Sequence, residues 1–84
     1  MIVVDVDVPD FMYGVLEETG ATIDQLAELL NVHVSTAENW MYGMTKPRGK
    51  LLFRIREFCK INKIKKPFRV KVVRSKWRVK YNGR

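Results

Sequence analysis

The spacing of apolar residues changes twice along the chain. Between residues 2 and 8, apolar and polar positions alternate, and this period of two predicts a half-buried strand that Pro9 ends. From residue 10 to about residue 61 the apolar positions recur every three or four residues, which predicts helices. From residue 68 the period of two returns. The predicted order is therefore a strand, about four helices and a C-terminal hairpin.

Capping signals divide the helical stretch. Asp10 is predicted to cap a first helix that runs to about Thr19 and stops at Gly20. Thr22 and Gln25 have the spacing of a capping box that opens the second helix.

Asn31 is predicted to end the second helix in a left-handed turn. A third helix starts near His33 to Ser35 and runs to Tyr42. A fourth helix of roughly 12 residues follows Pro47, since apolar residues recur at helical spacing between positions 51 and 59. A basic connector then leads to Pro67.

The C-terminal stretch predicts a basic hairpin over residues 68–81. A turn at Arg74 and Ser75 gives three apolar pairs on one face: Val72 with Trp77, Val70 with Val79 and Phe68 with Tyr81. The other face pairs Val73 with Lys76, Lys71 with Arg78 and Arg69 with Lys80. Arg-Ser is a poor type I′ turn, so a longer or bulged loop is an alternative.

Length and composition favour one domain over residues 1–84. At 9.9 kDa and 46% hydrophobic residues, the chain suits a single α+β fold that is mainly helical. One cysteine and one histidine provide neither an intrachain disulfide nor a zinc ligand set. No apolar run approaches the roughly 20 residues of a membrane span, and the acidic N-terminus is unlike a secretory signal. We therefore expect a cytoplasmic protein with no metal, cofactor, membrane or small-molecule ligand.

The formal charge of +7 is divided very unevenly along the sequence. Residues 1–45 contain eight acids and no Lys or Arg, whereas residues 46–84 contain sixteen basic residues and one acid, a charge of +15. This division favours a polyanion as the partner of the second half. The alternative is that the two halves attract each other within the monomer. On charge alone, the first strand would add to the hairpin, with Asp5 and Asp7 beside Lys71 or Lys80.

Residues 22–47 resemble the helix-turn-helix of the lambda-repressor/Cro-like family. Nine positions match the family pattern at its spacing: Thr22, Leu26, Ala27, Leu30, Val32, Thr36, Trp40, Gly43 and Pro47. Two of the residues also suit a helix-turn-helix for physical reasons that are independent of the resemblance. A small Ala27 lets two helices cross closely, and Asn31 suits a tight turn. In such a corner the second helix protrudes from the surface, so that it fits a DNA major groove about 12 Å wide.

The resemblance implies which side chains meet DNA. Its base-reading positions fall on Val34, Ser35, Glu38 and Asn39. Asn39 suits adenine, Val34 a thymine methyl and Glu38 a cytosine amine. The alternative for Ser35 and Glu38 is a second capping box.

Phosphate contacts must come largely from outside the motif, which has no cation before Lys46. The expected phosphate residues are Thr22, His33, Thr36, Lys46, Arg48, Lys50, Arg69, Lys71, Arg78 and Lys80. The sequence departs from the family where His33 replaces the usual serine cap and Ile23 replaces a polar residue.

The sequence as a whole predicts a sequence-specific, repressor-like regulator of transcription that binds double-stranded DNA as a homodimer. The resemblance implies an origin in phages, viruses or prokaryotic mobile elements. No constellation of catalytic residues is present, so we do not expect an enzyme. Three alternatives remain open: a nonspecific architectural DNA-binding protein, an RNA-binding protein that stacks bases on Trp77 and Tyr81, and a protein-interaction adaptor that uses the acidic half.

Overall fold

The computed structural model describes residues 1–73, which form two short strands and four helices. In chain order they are β1 (Ile2–Val4), α1 (Val8–Thr19), α2 (Ile23–Leu30), α3 (Val34–Met41), α4 (Lys50–Ile61) and β2 (Val70–Val72). The prediction of a mainly helical α+β fold is confirmed. The predicted turn at Arg74 and Ser75 and the second hairpin strand lie outside the described residues. None of the helices in residues 1–73 has the length and apolar character needed to cross a membrane.

The core forms where the four helices meet. Each helix contributes buried side chains, and Ala37 and Trp40 of α3 are 0% and 1% exposed. The largest fully buried side chains are Trp40, Met12, Leu26, Leu52 and Val15. Because α3 buries this inner side against both α1 and α2, its opposite side is held outward on a rigid support.

The N-terminal strand pairs with β2. The pairing is antiparallel, with Ile2 opposite Val72, Val3 opposite Lys71 and Val4 opposite Val70. β1 is shorter than the predicted stretch of residues 2–8, since the chain has entered α1 by Val8. The predicted association of the first strand with the basic C-terminal stretch is confirmed, with Lys71 as the neighbouring cation.

The start of α1 differs from the prediction. Asp7, rather than Asp10, is the N-cap, and its side chain accepts a hydrogen bond from the Asp10 N–H at 3.1 Å. Pro9 lies inside the first turn, where its missing N–H has no helical partner to lose. Gly20 ends the helix at φ 70°, as predicted.

The α2–α3 corner follows the prediction closely. Thr22 and Gln25 form both hydrogen bonds of the capping box, at 3.2 and 2.9 Å. Asn31 ends α2 in the left-handed region at φ 57°. Ala27 is buried at the crossing, and Val32 packs against the core. Local sequence therefore determines how this corner presents α3.

A side chain from α4 completes the corner. Nη1 of Arg54 donates to the carbonyl oxygens of Leu30 and Asn31 at 3.3 and 3.1 Å. These carbonyls end α2, where a cation also interacts favourably with the helix dipole.

We expect Arg54→Ala to lower the free energy of unfolding by about 1 kcal/mol, because the end of α2 loses both hydrogen bonds. Arg56→Ala is the matched control, since Arg56 lies exposed on the same helix and makes no hydrogen bond or ion pair with residues 1–73. Urea unfolding measures both variants. Equal losses for the two would show that Arg54 does not support the corner.

The chain between α4 and β2 is fastened to α1. The Glu18 carboxylate accepts hydrogen bonds from the backbone N–H groups of Lys65 and Lys66, both at 2.7 Å. The Lys66 ammonium lies 2.8 Å from the Asp10 carboxylate, and its stem passes so close to Gly14 that a Cβ there would lie 2.7 Å from it. These contacts direct the chain back toward β1, so that β2 forms beside it.

The Cys59 thiol has a raised pKa, to which burial and the Glu18 carboxylate both contribute. Burial, with a further contribution from the Glu18 charge, raises the pKa of the Cys59 thiol to about 11. The thiol is therefore neutral at pH 7–9, and alkylation by iodoacetamide should be slow there and accelerate about tenfold per pH unit until pH 11. In urea the same cysteine should react as an ordinary thiol. Equal native and unfolded rates at pH 8 would contradict the raised pKa.

Candidate nucleic-acid interface

The outward side of α3 carries the four predicted base-reading residues. Val34 and Glu38 are one helical turn apart, as are Ser35 and Asn39, so the four side chains share one face. Val34 and Ser35 are exposed, and Glu38 and Asn39 are half-buried. This face lies opposite buried Ala37 and Trp40, and it presents a methyl-bearing, a hydroxyl, a carboxylate and an amide side chain to the surroundings.

The cap of α3 excludes the capping-box alternative for Ser35 and Glu38. The N-cap is His33, which makes no side-chain capping hydrogen bond, and Ser35 is already the second residue of the helix. The Ser35 hydroxyl forms a long hydrogen bond with Nδ1 of His33, at 3.5 Å. Ser35 and Glu38 therefore do not form a capping box at the start of this helix.

The loop after α3 is positioned by the helix and by β1. The carbonyl oxygen of Asn39 accepts hydrogen bonds from the N–H groups of Met44 and Thr45, at 2.8 and 3.4 Å. Pro47 is buried, and Arg48 forms an antiparallel bridge with Val3. Val3 therefore has Arg48 on one side and Lys71 on the other. Because both edges of β1 are occupied at this point, a second subunit cannot pair with β1 at Val3.

The pairing around Val3 creates a surface that we call the basic sheet face, made of Arg48, Lys71 and Arg69. Residues directly opposite each other in antiparallel pairs project to the same side, so Arg48 and Lys71 share the side of Val3. Two strand spacings separate them, about 10 Å. Arg69 follows the same alternation, since its carbonyl oxygen accepts from the N–H of Asp5 at 2.7 Å. Arg48 thus comes together with two cations that lie more than 20 residues further along the chain.

A groove joins the basic sheet face to α3. Four of the predicted phosphate residues line it: Thr36, Lys46, Arg48 and Lys71. Its other walls include β1, Trp40 and Phe53. Cationic side chains therefore line a groove beside α3, next to the face of α3 that carries the four base-reading candidates. Within α3 itself there is no cation.

Of the other predicted phosphate residues that the structure describes, Thr22, His33 and Lys50 do not line this groove, and Arg69 belongs to the basic sheet face. Thr22 and His33 cap α2 and α3, and the capping box already engages both the hydroxyl and the N–H of Thr22. Lys50 is the exposed first residue of α4. Arg78 and Lys80 lie outside the described residues. The structure therefore brings some of the predicted phosphate residues together in the groove, whereas Thr22 and His33 lie at the starts of α2 and α3 and do not line it.

The acidic and basic halves also attract each other within the chain. The Lys66–Asp10 pair links them at 2.8 Å, and the Lys71 ammonium lies 3.6 Å from Asp5. Asp10 raises the pKa of Lys66, chiefly by accepting its hydrogen bond. Attraction within the chain and binding to a polyanion are therefore compatible, since the structure has both ion pairs and a surface with exposed cations. Asp5 lies beside Lys71 on the basic sheet face, as its charge predicts.

Comparison with solved structures gives one informative likeness. The chain is similar to the crystal structure of a transcriptional regulator from Listeria innocua, with a TM-score of 0.57 and 26% sequence identity. The match covers 92% of this chain and 77% of the regulator's chain. No protein-family model matches the chain. No curated protein matches it either. The likeness supports a regulator-like fold and leaves the particular helix-turn-helix family open.

Proposed function

We propose that the protein is a sequence-specific, repressor-like DNA-binding regulator that places α3 in the major groove of double-stranded DNA. The observation that carries the proposal is the groove beside α3, where Thr36, Lys46, Arg48 and Lys71 meet although they come from three separate parts of the chain. The Listeria innocua regulator supports a role in transcription.

In this proposal, α3 provides the choice of DNA sequence and the basic surface provides general affinity. The face of α3 that holds Ser35 and Asn39 presents groups that suit base edges, and Asn39 is suited to the paired donor and acceptor of adenine. The groove and the basic sheet face supply positive charge, which attracts every DNA sequence alike. Affinity therefore comes mainly from the sheet side and choice of sequence from α3.

One α3 helix covers only a few base pairs, so we propose a homodimer on a two-fold DNA site. Its half-sites would lie about 34 Å apart, one turn of the duplex. With both edges of β1 occupied at Val3, the subunits would meet through another surface. The protein would act by occupying DNA, without a catalytic step, in the cytoplasm or on the nucleoid.

Selection from a random duplex pool tests the proposal. At 100 mM salt the protein should enrich a two-fold consensus, and its affinity should fall with salt at a log–log slope of about −5 to −7 if six to eight phosphates are neutralised. Salt-sensitive binding without enrichment would favour an architectural protein. Preference for single-stranded RNA over duplex DNA would favour RNA binding, and no binding to either would favour the adaptor.

A further inference from the structure

A single carboxylate lies among the cations of the basic sheet face. Oδ1 of Asp5 lies 3.6 Å from Nζ of Lys71, and about half of each side chain is exposed. The Asp5 backbone is fixed, because its N–H donates to the Arg69 carbonyl oxygen at 2.7 Å. The sheet therefore holds this acid beside Lys71 rather than leaving it on a mobile loop.

Stability does not account for a carboxylate at this position. Asp5 follows Val4 on the exposed side of the chain, where any polar residue satisfies the alternation. An exposed ion pair contributes little to folding because water already solvates both charges. A carboxylate on a surface that meets DNA also repels phosphate, so its presence weakens binding unless the repulsion itself is useful.

We infer that Asp5 is an internal competitor of DNA phosphate for Lys71 and thereby limits the affinity of the protein for DNA. The inference rests on the proposed function. In the DNA-free protein Asp5 holds the Lys71 ammonium, and on binding the ammonium exchanges the carboxylate for a phosphate oxygen. The exchange makes the Lys71 contact weaker than that of a free lysine, and it does so for every DNA sequence alike.

Five variants test the competition: Asp5→Asn, Asp5→Ala, Lys71→Gln, the Asp5→Asn/Lys71→Gln double variant, and Glu57→Gln as the control. Glu57 is exposed on α4 and does not line the groove, so its substitution raises the net charge equally without freeing Lys71. In fluorescence anisotropy with a random-sequence duplex, Asp5→Asn should raise affinity about three- to fivefold, the upper part of the range expected for one exposed ion pair. Its salt slope should steepen by up to about 0.9. Glu57→Gln should change affinity less than twofold.

The double variant distinguishes competition from a general effect of charge. When Lys71 is already glutamine, Asp5→Asn should raise affinity clearly less than it does when Lys71 is present, because only the direct repulsion between the Asp5 carboxylate and phosphate is then relieved. Asp5→Ala should match Asp5→Asn, which shows that the new amide is not itself a phosphate ligand. An equal gain with and without Lys71, or a loss of affinity in Asp5→Asn, would overturn the inference. If the unaltered protein shows no salt-sensitive duplex binding, the proposed function fails instead.

Discussion

Trp40→Ala is expected to remove a large fraction of the stability of the protein. The Trp40 side chain is almost completely buried in α3, where the inner side of the reading helix packs against the rest of the core. Truncating a buried tryptophan costs about 3–5 kcal/mol, because apolar contacts are lost and a cavity remains. Domains of this size have a total stability of about 5–10 kcal/mol, so the loss is a large fraction of the whole.

Thermal unfolding measures this effect. The melting temperature should fall by at least about 12 °C, since 1 kcal/mol corresponds to roughly 4–8 °C in a domain of this size. Tyr42→Ala is the control, because Tyr42 ends the same helix but is well exposed, and it should change the free energy of unfolding by less than about 0.5 kcal/mol. Comparable losses in both variants would contradict the assigned core.

The second large effect concerns the groove. Replacing Lys46, Arg48 and Lys71 together with glutamine should lower affinity for duplex DNA on the order of 100-fold at 100 mM salt, by about the same factor for every sequence. The magnitude of the salt slope should fall by about 2 to 3, because three phosphate contacts are lost. The backbone bridge between Arg48 and Val3 does not need the Arg48 side chain, so the fold should remain.

A matched triple variant serves as the control, because it removes three positive charges outside the groove. Arg56, Lys60 and Lys63 are exposed on or just beyond α4 and do not line the groove. Their replacement with glutamine should weaken binding far less and leave the salt slope nearly unchanged. If the two triple variants lose the same affinity, DNA responds to net charge and the groove is not its binding surface.

The sequence predicts the α2–α3 corner well because its determinants are local. The capping box spans four residues, the left-handed turn is a property of Asn31, and the buried stripe repeats at helical spacing. The predicted start of α1 is wrong because Val8 continues the alternation of residues 2–8, which places the helix cap too late in the sequence. In the structure Val8 is buried as the first residue of α1, and Asp7 is the cap.

Contacts between distant segments were harder to predict. Charge suggested that the N-terminal strand lies beside Lys71, but the bridge to Arg48 has no signature in a single sequence, since β pairing depends on which segments meet. Arg54 reaches the end of α2 across 23 residues, and Glu18 reaches a backbone N–H 48 residues away. The candidate DNA residues on α3 could be named from the motif. Their grouping with a basic groove required the fold.

The central claim is that α3 chooses the DNA sequence while the basic surface supplies general affinity. The most direct test compares the unaltered protein with the Ser35→Ala/Asn39→Ala double variant on a selected consensus duplex and on a random one. We expect the variant to bind consensus DNA about 10- to 100-fold more weakly, since a good bidentate base contact is worth about 1–3 kcal/mol. Its affinity and salt slope on random DNA should stay unchanged. A variant that keeps the full preference for the consensus, or that weakens on both duplexes equally, would contradict the claim.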